Sequence, residues 1–350
     1  MTVAASPHAR ILDMAAHLPS RVLDNDALAA LYPEWSAAKI LAKTGIRERR
    51  IAADGETAAD LACAAAEQLF SQGKVQRSEI DFILLCTQAP DHVLPTTACL
   101  LQARLGIARS AGALDFNLGC SGFVYGLSLA RGLVDSGAAR RVLLLTADTY
   151  SKYIHPQDRS VRTLFGDAAA ATVIGPHKET MDAADERRAA IGPFVFGTDG
   201  RGARDLIVDA GGARRPCDAA SAAEHCDANG NVRSAEHLYM NGAEVFAFTL
   251  REVPAAIDAL LDKAGLAKDD IDYFVLHQAN RFMLDTLRRK IGVAAERLPI
   301  HMEDVGNTVS STIPLALMRM RAAGQLAPGK RLMLVGFGVG YSWAATIINL

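Results

Sequence analysis

The sequence predicts an α/β protein made of two fused, pseudo-symmetric copies of one plan. Three observations carry this prediction. Short β-branched and Leu-rich runs alternate with Ala-rich amphipathic segments, the pattern of helices layered on sheets. The stretch Ser78-Glu-Ile-Asp-Phe-Ile-Leu-Leu-Cys-Thr-Gln-Ala returns as Asp270-Ile-Asp-Tyr-Phe-Val-Leu-His-Gln-Ala. The same order of segments surrounds both copies.

In the first copy an Ala- and Leu-rich helix, Thr57 to Gln72, precedes the repeated strand; in the second it is Val253 to Ala264. After each strand come a second helix, a strand-like run and a glycine turn, Leu118-Gly-Cys-Ser-Gly in one half and Asp304-Val-Gly-Asn-Thr in the other. An apolar helix and a buried strand follow, Arg141-Val-Leu-Leu-Leu-Thr and Arg331-Leu-Met-Leu-Val. The halves are assigned to residues 1–180 and 181–350, meeting near 175–195. The segment Ile191 to Asn241 interrupts the second half and reads as a polar surface loop. Its turns, Gly197-Thr-Asp-Gly-Arg-Gly and Asp209-Ala-Gly-Gly, bound a strand at Leu206-Ile-Val.

A chain of 350 residues that is 50% hydrophobic can bury one large core or two fused ones. A net charge of −2 with dispersed basic residues excludes a polyanion-binding stripe, so no nucleic-acid partner is expected. No apolar run reaches the roughly 20 residues that cross a membrane, and Met1 to Arg10 lacks the apolar core of a secretory signal. The six cysteines form no CxxC pair and sit mostly in apolar segments, a reduced, cytoplasmic usage. Cys217, His225, Cys226 and His237 have no zinc spacing, and no metal is expected.

A duplicated α/β fold brings equivalent strand ends and helix starts to one shared crevice, where such proteins place chemistry. The symmetry nominates Cys120 and Asn307 at the two glycine turns, and His277 opposite Cys86 at the strand ends. A thiol before a helix start should feel the positive end of the dipole, which favours thiolate and a nucleophile. Asn307 also suits a helix cap. The loop Gly336-Phe-Gly-Val-Gly-Tyr-Ser-Trp follows a strand as a dinucleotide fingerprint does, but no helix or acidic partner follows it. Its use is to offer a backbone N–H to a developing oxyanion. No phosphate-binding GxxxxGK[ST] run is present.

From about Arg21 onward the chain resembles the β-ketoacyl-ACP synthase III family of condensing enzymes. The resemblance rests on Thr44-Gly-Ile-Arg-Glu-Arg-Arg-Ile, the Cys120 segment, Asp158-Arg159 with Phe165-Gly-Asp, and Asp199-Gly-Arg. His277-Gln-Ala-Asn280, Gly306-Asn-Thr and Gly338-Val-Gly-Tyr-Ser-Trp343 complete it. It implies a thiolase-like fold with αβαβα layering and a homodimer. It also implies decarboxylating Claisen condensation of an acyl-CoA primer with malonyl-ACP, through an acyl-Cys120 intermediate and with no cofactor beyond the two thioesters. Cys120 and Val339 would supply oxyanion N–H groups, and His277 with Asn307 would stabilise the enolate. Trp35 and Arg159 would hold the CoA adenine, with Asn280 at the pantetheine tunnel. Leu94 and Phe337 would line the acyl pocket. Arg281, Arg288, Arg289 and Lys290 would offer the acidic carrier protein a basic helix edge. The chain departs from the usual pattern in four extra residues between Trp35 and the Thr44 motif, in Val339 for a glycine, and in Leu94 for a phenylalanine. These point to a primer other than acetyl and fit a specialised pathway, polyketide or otherwise, as well as bulk fatty-acid initiation.

Three rival readings share features with this one. A member of the same fold transferring the acyl group to a hydroxyl or amine would need no decarboxylation. A catalytically silent partner of a heterodimeric synthase would have lost one of the three residues. Papain-like cysteine hydrolases share the order Cys, His, Asn, but Gly119-Cys120-Ser121-Gly122 lacks their local pattern, and they carry no internal duplication.

Overall fold

The computed structural model describes residues 9–176 and 191–350, so the junction assigned at 180/181 lies outside the described residues. The first half contains β1 (Ala9–His17), β2 (Arg21–Asp24), α1 (Asn25–Leu31), α2 (Ala37–Thr44), β3 (Glu48–Ile51), α3 (Ala58–Ser71) and β4 (Phe82–Cys86). It continues through α4 (Thr97–Arg104), β5 (Gly112–Phe116), α5 (Gly122–Asp135), β6 (Val142–Asp148), α6 (Arg159–Arg162) and β7 (Ala168–Pro176). The second half contains β8 (Ile191–Thr198), four two-residue strands β9 to β12 between Leu206 and Met240, and α7 (Gly242–Ala264). Then follow β13 (Tyr273–Leu276), α8 (Arg281–Ile291), α9 (Thr312–Ala322), β14 (Arg331–Gly338) and β15 (Ser342–Asn349).

The duplication is plain in the sheets. The first runs β1-β7-β6-β4-β5 and the second β8-β15-β14-β13. In each, the repeated strand lies parallel to the buried strand that follows it (β4 to β6, β13 to β14), and the remaining neighbours up to β1 or β8 are antiparallel. One element breaks the symmetry. The strand-like run expected near Leu298 is no strand, so the second sheet has no counterpart of β5. Pro299 removes a ladder donor there.

Strand alternation sends neighbouring side chains into different layers. Ile83 and Leu85 of β4 pack under α3, whereas Leu84 faces α5. Met333 and Val335 of β14 pack under α7 and α8, whereas Leu332 and Leu334 face α9. One cluster joins the inner faces of both sheets through Phe123 and Leu127 of α5 and Ile313 and Leu317 of α9. The layers are therefore α3, sheet, α5 with α9, sheet, α7 with α8, the αβαβα order that the resemblance implies. The Thr57–Asp60 capping box fixes the start of α3, a contribution of about 1 kcal/mol. The eight buried side chains of α3 contribute far more.

Two boundaries differ from the sequence reading. Ile191–Thr198 is a sheet strand paired with β15, not part of a loop. The helix expected from Val253 begins at Gly242 and runs through Pro254. Its start was signalled by Asn241, whose side chain accepts from the Glu244 N–H; the internal proline obscured the continuity.

Candidate active site

Cys120 lies between the end of β5 and the start of α5. The turn is tight, the Gly122 N–H donating to the Gly119 carbonyl at 2.8 Å. Its glycines answer to close neighbours and not to left-handed backbone. A Cβ on Gly122 would stand 2.2 Å from Cys86 Sγ, and one on Gly119 would stand 2.4 Å from Gln88 Oε1. Ser121 fastens the turn to the start of β15, its hydroxyl 2.6 Å from that of Ser342. On the other side β14 presses against the nucleophile, since a Cβ on Gly338 would lie 2.8 Å from Cys120 Cβ.

The thiol is not the thiolate that the helix-start argument predicts. Burial pushes Cys120 up to about 12, and the buried Asp148 carboxylate adds to the rise. Cys120 precedes the first helical residue by two positions, so desolvation outweighs the dipole. The groups that act against the rise are the backbone N–H groups of Cys120 and Val339, which hydrogen-bond the sulfur. These are the two donors that the sequence assigns to the oxyanion hole.

His277 follows β13 and extends its pairing, the His277 N–H donating to Val335 O at 2.8 Å. Its Nδ1 lies 2.7 Å from the Thr312 hydroxyl, and its ring stands edge-on to Phe337 with centroids 5.4 Å apart. Burial holds the imidazole neutral, down to about 3. Asn307 sits between halves: its N–H donates to Leu164 O at 2.9 Å, and its carbonyl accepts from Gly166 N–H at 3.0 Å. Gly306, at φ 72°, makes this approach possible, because a Cβ there would meet Leu164 O at 2.7 Å. The Asn307 side-chain oxygen accepts from Val309 N–H at 3.0 Å, which turns the Nδ2 donors to the crevice.

Cys120, His277 and Asn307 line one cavity of about 280 Å³, together with Asn280 and Phe337. Asn280 also caps α8, accepting from Met283 N–H at 2.8 Å. The rest of the wall is mostly apolar, including Leu164, Phe165, Leu206, Met240, Val245 and Phe246. The last four come from the segment taken for a polar loop and from the unrecognised start of α7. The loop reading is corrected: its short strands carry Leu206 and Met240 inward, paired across β9 and β12. A hydrophobic pair at 206 and 240 with helical spacing from Val245 to Thr249 was the available signal.

The remaining candidates lie elsewhere. Arg159 Cζ stands 5.7 Å from the Trp35 ring centroid, with Lys43 Nζ at 4.5 Å and Lys39 Nζ at 5.5 Å from it. Arg159 also pairs with Glu34 at 3.1 Å and donates to Asn229 O. Leu94 does not line the cavity within one chain; it is 79% exposed at a loop tip, beside Val93 at 98%. On α8, Arg281, Arg289 and Lys290 are exposed, while Arg288 is half-buried and donates to Val293 O at 3.3 Å. Among the described residues no cluster of three or more His, Cys, Asp or Glu side chains is arranged to hold a metal. No described helix is long and apolar enough to cross a membrane.

Residues 114–200 match the 3-oxoacyl-[acyl-carrier-protein] synthase III family, and residues 261–350 match its C-terminal family. A β-ketoacyl-[acyl-carrier-protein] synthase III of Streptomyces coelicolor is 38% identical over 95% of this chain and 94% of its own. A crystal structure of a 3-oxoacyl-(acyl-carrier-protein) synthase III is 66% identical, covers 98% of this chain and 100% of its own, and superposes with a TM-score of 0.95. A 3-oxoacyl-(acyl-carrier protein) synthase from Burkholderia xenovorans is 39% identical over 98% of this chain and 94% of its own, with a TM-score of 0.87.

Proposed function

The chain belongs to the β-ketoacyl-[acyl-carrier-protein] synthase III family, and we propose that it condenses an acyl-CoA primer with malonyl-ACP through an acyl-Cys120 thioester. The observation that carries this reading is the convergence of Cys120, His277 and Asn307 on one apolar-walled cavity.

In the first half-reaction Cys120 Sγ attacks the acyl-CoA carbonyl. The negative charge forms on the carbonyl oxygen, for which this reading assigns the Cys120 and Val339 N–H groups that lie against the sulfur. The C–S bond to CoA then breaks, and the proton lost by the thiol ends on the CoA sulfur. In the second half malonyl-ACP loses carbon dioxide, leaving an enolate whose oxygen takes hydrogen bonds from His277 and from Asn307 Nδ2. A neutral imidazole and an amide suit this oxygen because they donate without bringing a full charge into an apolar site. The enolate carbon attacks acyl-Cys120, the new C–C bond forms and the thiolate leaves, regaining a proton from solvent. No cofactor takes part.

The same reading assigns CoA to the Trp35–Arg159 mouth and the carrier protein to the basic edge of α8. It places a second copy against the unpaired side of β5, where Leu114, Val93 and Leu94 are exposed. It also places the enzyme in the cytoplasm, where both thioesters are made. Incubation with an acyl-CoA and carboxyl-labelled malonyl-ACP tests the reaction: labelled carbon dioxide should appear together with a β-ketoacyl-ACP product that forms only when Cys120 is intact. Acyl transfer to an added alcohol or amine without gas release would replace it with the non-decarboxylating reading.

A further inference from the structure

Val309 is the one non-glycine among the described residues with positive φ, at 54°. A β-branched residue there is a true outlier. Such a conformation persists only where its surroundings hold it. Here the next residue supplies the hold. Ser310 donates from its hydroxyl to Asp148 Oδ2, and its N–H donates to the same oxygen at 3.3 Å. The other carboxylate oxygen, Oδ1, accepts from Gln88 N–H at 2.8 Å. Ser311 is bolted to the same strand end, its hydroxyl 2.9 Å from that of Thr146 and donating to Thr146 O at 3.1 Å. Asp148 is fully buried.

What this turn holds is the enolate site. The Val309 N–H fixes the Asn307 carboxamide, and Thr312, one turn later, meets His277 Nδ1 at 2.7 Å while its hydroxyl lies 3.2 Å from Val309 O. The end of β6, in the first half, thus sets the aim of Asn307, a donor that belongs to the second. Neither Asp148 nor Ser310 lines the cavity.

We propose that Asp148 and Ser310 are positioning residues of the decarboxylation step, clamping the strained Val309 turn so that Asn307 presents Nδ2 to the enolate oxygen. The inference rests on the condensing reading above. An orientation error of about 1 Å in a reacting group costs about 100-fold, and the Ser310 hold bears on the second half-reaction, whereas Asp148 also faces the Cys120 thiol.

Two variants test it, Asp148→Asn and Ser310→Ala, each measured as acylation of Cys120 by an acyl-CoA and as carbon dioxide release from malonyl-ACP. Decarboxylation should fall roughly 10- to 100-fold in both, while Ser310→Ala leaves acylation within about threefold of the parent; Asp148→Asn removes a charge that raises the Cys120 thiol, so its acylation should not fall. In an Asn307→Ala background the same changes should cost less than about twofold more, because they act through that side chain. A merely structural role would lower both half-reactions alike, or multiply with Asn307→Ala; either result overturns the proposal. Ser310→Ala deletes a single hydroxyl and carries the test if Asp148→Asn does not fold. Carbon dioxide release by the parent protein tests the underlying reading independently of the variants.

Discussion

The hydroxyl of Thr312 lies 2.7 Å from Nδ1 of His277, so the nitrogen left to face substrate is Nε2. This division of the ring separates its support from its work. His277→Ala and Asn307→Ala should each reduce malonyl decarboxylation by 100-fold or more, on the order expected for lost oxyanion donors, and reduce acylation of Cys120 far less. Single-turnover measurement of the two steps checks this, and equal losses in folded protein would refute the assignment.

Thiol reactivity should divide by exposure. Cys99, Cys217 and Cys226 are exposed, whereas Cys120 is buried and pushed up to about 12. Iodoacetamide at neutral pH should therefore modify exposed cysteines before Cys120, although an acyl-CoA should acylate Cys120 alone. Peptide mapping after each reagent decides the point, and Cys120→Ser should abolish the acyl-enzyme.

Acid should expose the cost of the buried imidazole. An unfolded histidine titrates near 6.5, while His277 is held down to about 3. Between these values the unfolded chain carries the extra proton. The stability is present above pH 6.5 and is lost as pH falls. Asp148, raised to about 7, has the opposite sign and gains on acidification. Parent and His277→Gln should be compared by denaturant unfolding: from pH 6.5 to 5.5 the difference should move about 1 kcal/mol in favour of the variant. A constant difference would mean that the ring is not held neutral.

Much of this was legible in the sequence. A repeated strand with matching flanks fixes a fold because each copy must bury the same faces, and it placed Cys120, His277 and Asn307 correctly in one crevice. The protonation of Cys120 was not legible, because burial of a turn depends on what packs over it, here β14 and Asp148. Nor was the wall made by Leu206, Met240 and Phe246, whose segment looks polar until its two-residue strands pair. Hydrogen bonds from Thr312 and Ser310 depend on a backbone turn that residue type does not announce; valine at a positive φ is the last residue propensity would choose.

On α8, Arg289 and Lys290 are exposed, Arg289 donating to the Thr286 hydroxyl at 3.2 Å, whereas Arg288 is half-buried, donates to Val293 O and lies 4.0 Å from Asp285. Arg289→Glu with Lys290→Glu should raise KM for malonyl-ACP several-fold and spare acyl-CoA. The effect should shrink as salt rises. An unchanged KM would leave an ordinary solvated helix.

Primer choice is tested through Leu94. If the partner copy brings this exposed side chain to the acyl end, a longer chain gains about 0.8 kcal/mol per buried methylene, roughly fourfold, until the space is filled. The parent should then prefer four- to eight-carbon primers, and Leu94→Phe should return the preference to acetyl-CoA. A kcat/KM series on both proteins reads the outcome, and an acetyl preference unaltered by Phe would remove Leu94 from the pocket.

The glycines of β14 have a consequence for how such an enzyme can change over generations. A Cβ on Gly336 would meet Cys120 O at 2.9 Å, and one on Gly338 would meet Cys120 Sγ at 3.0 Å. At these two positions β14 meets the nucleophile as bare main chain, and any heritable exchange there adds atoms where none fit. Drift toward new substrates is confined to the opposite wall, at Leu206, Met240, Val245 and Phe246. The face that touches the sulfur stays closed to it, so descendants can diverge in what they accept while repeating the same attack.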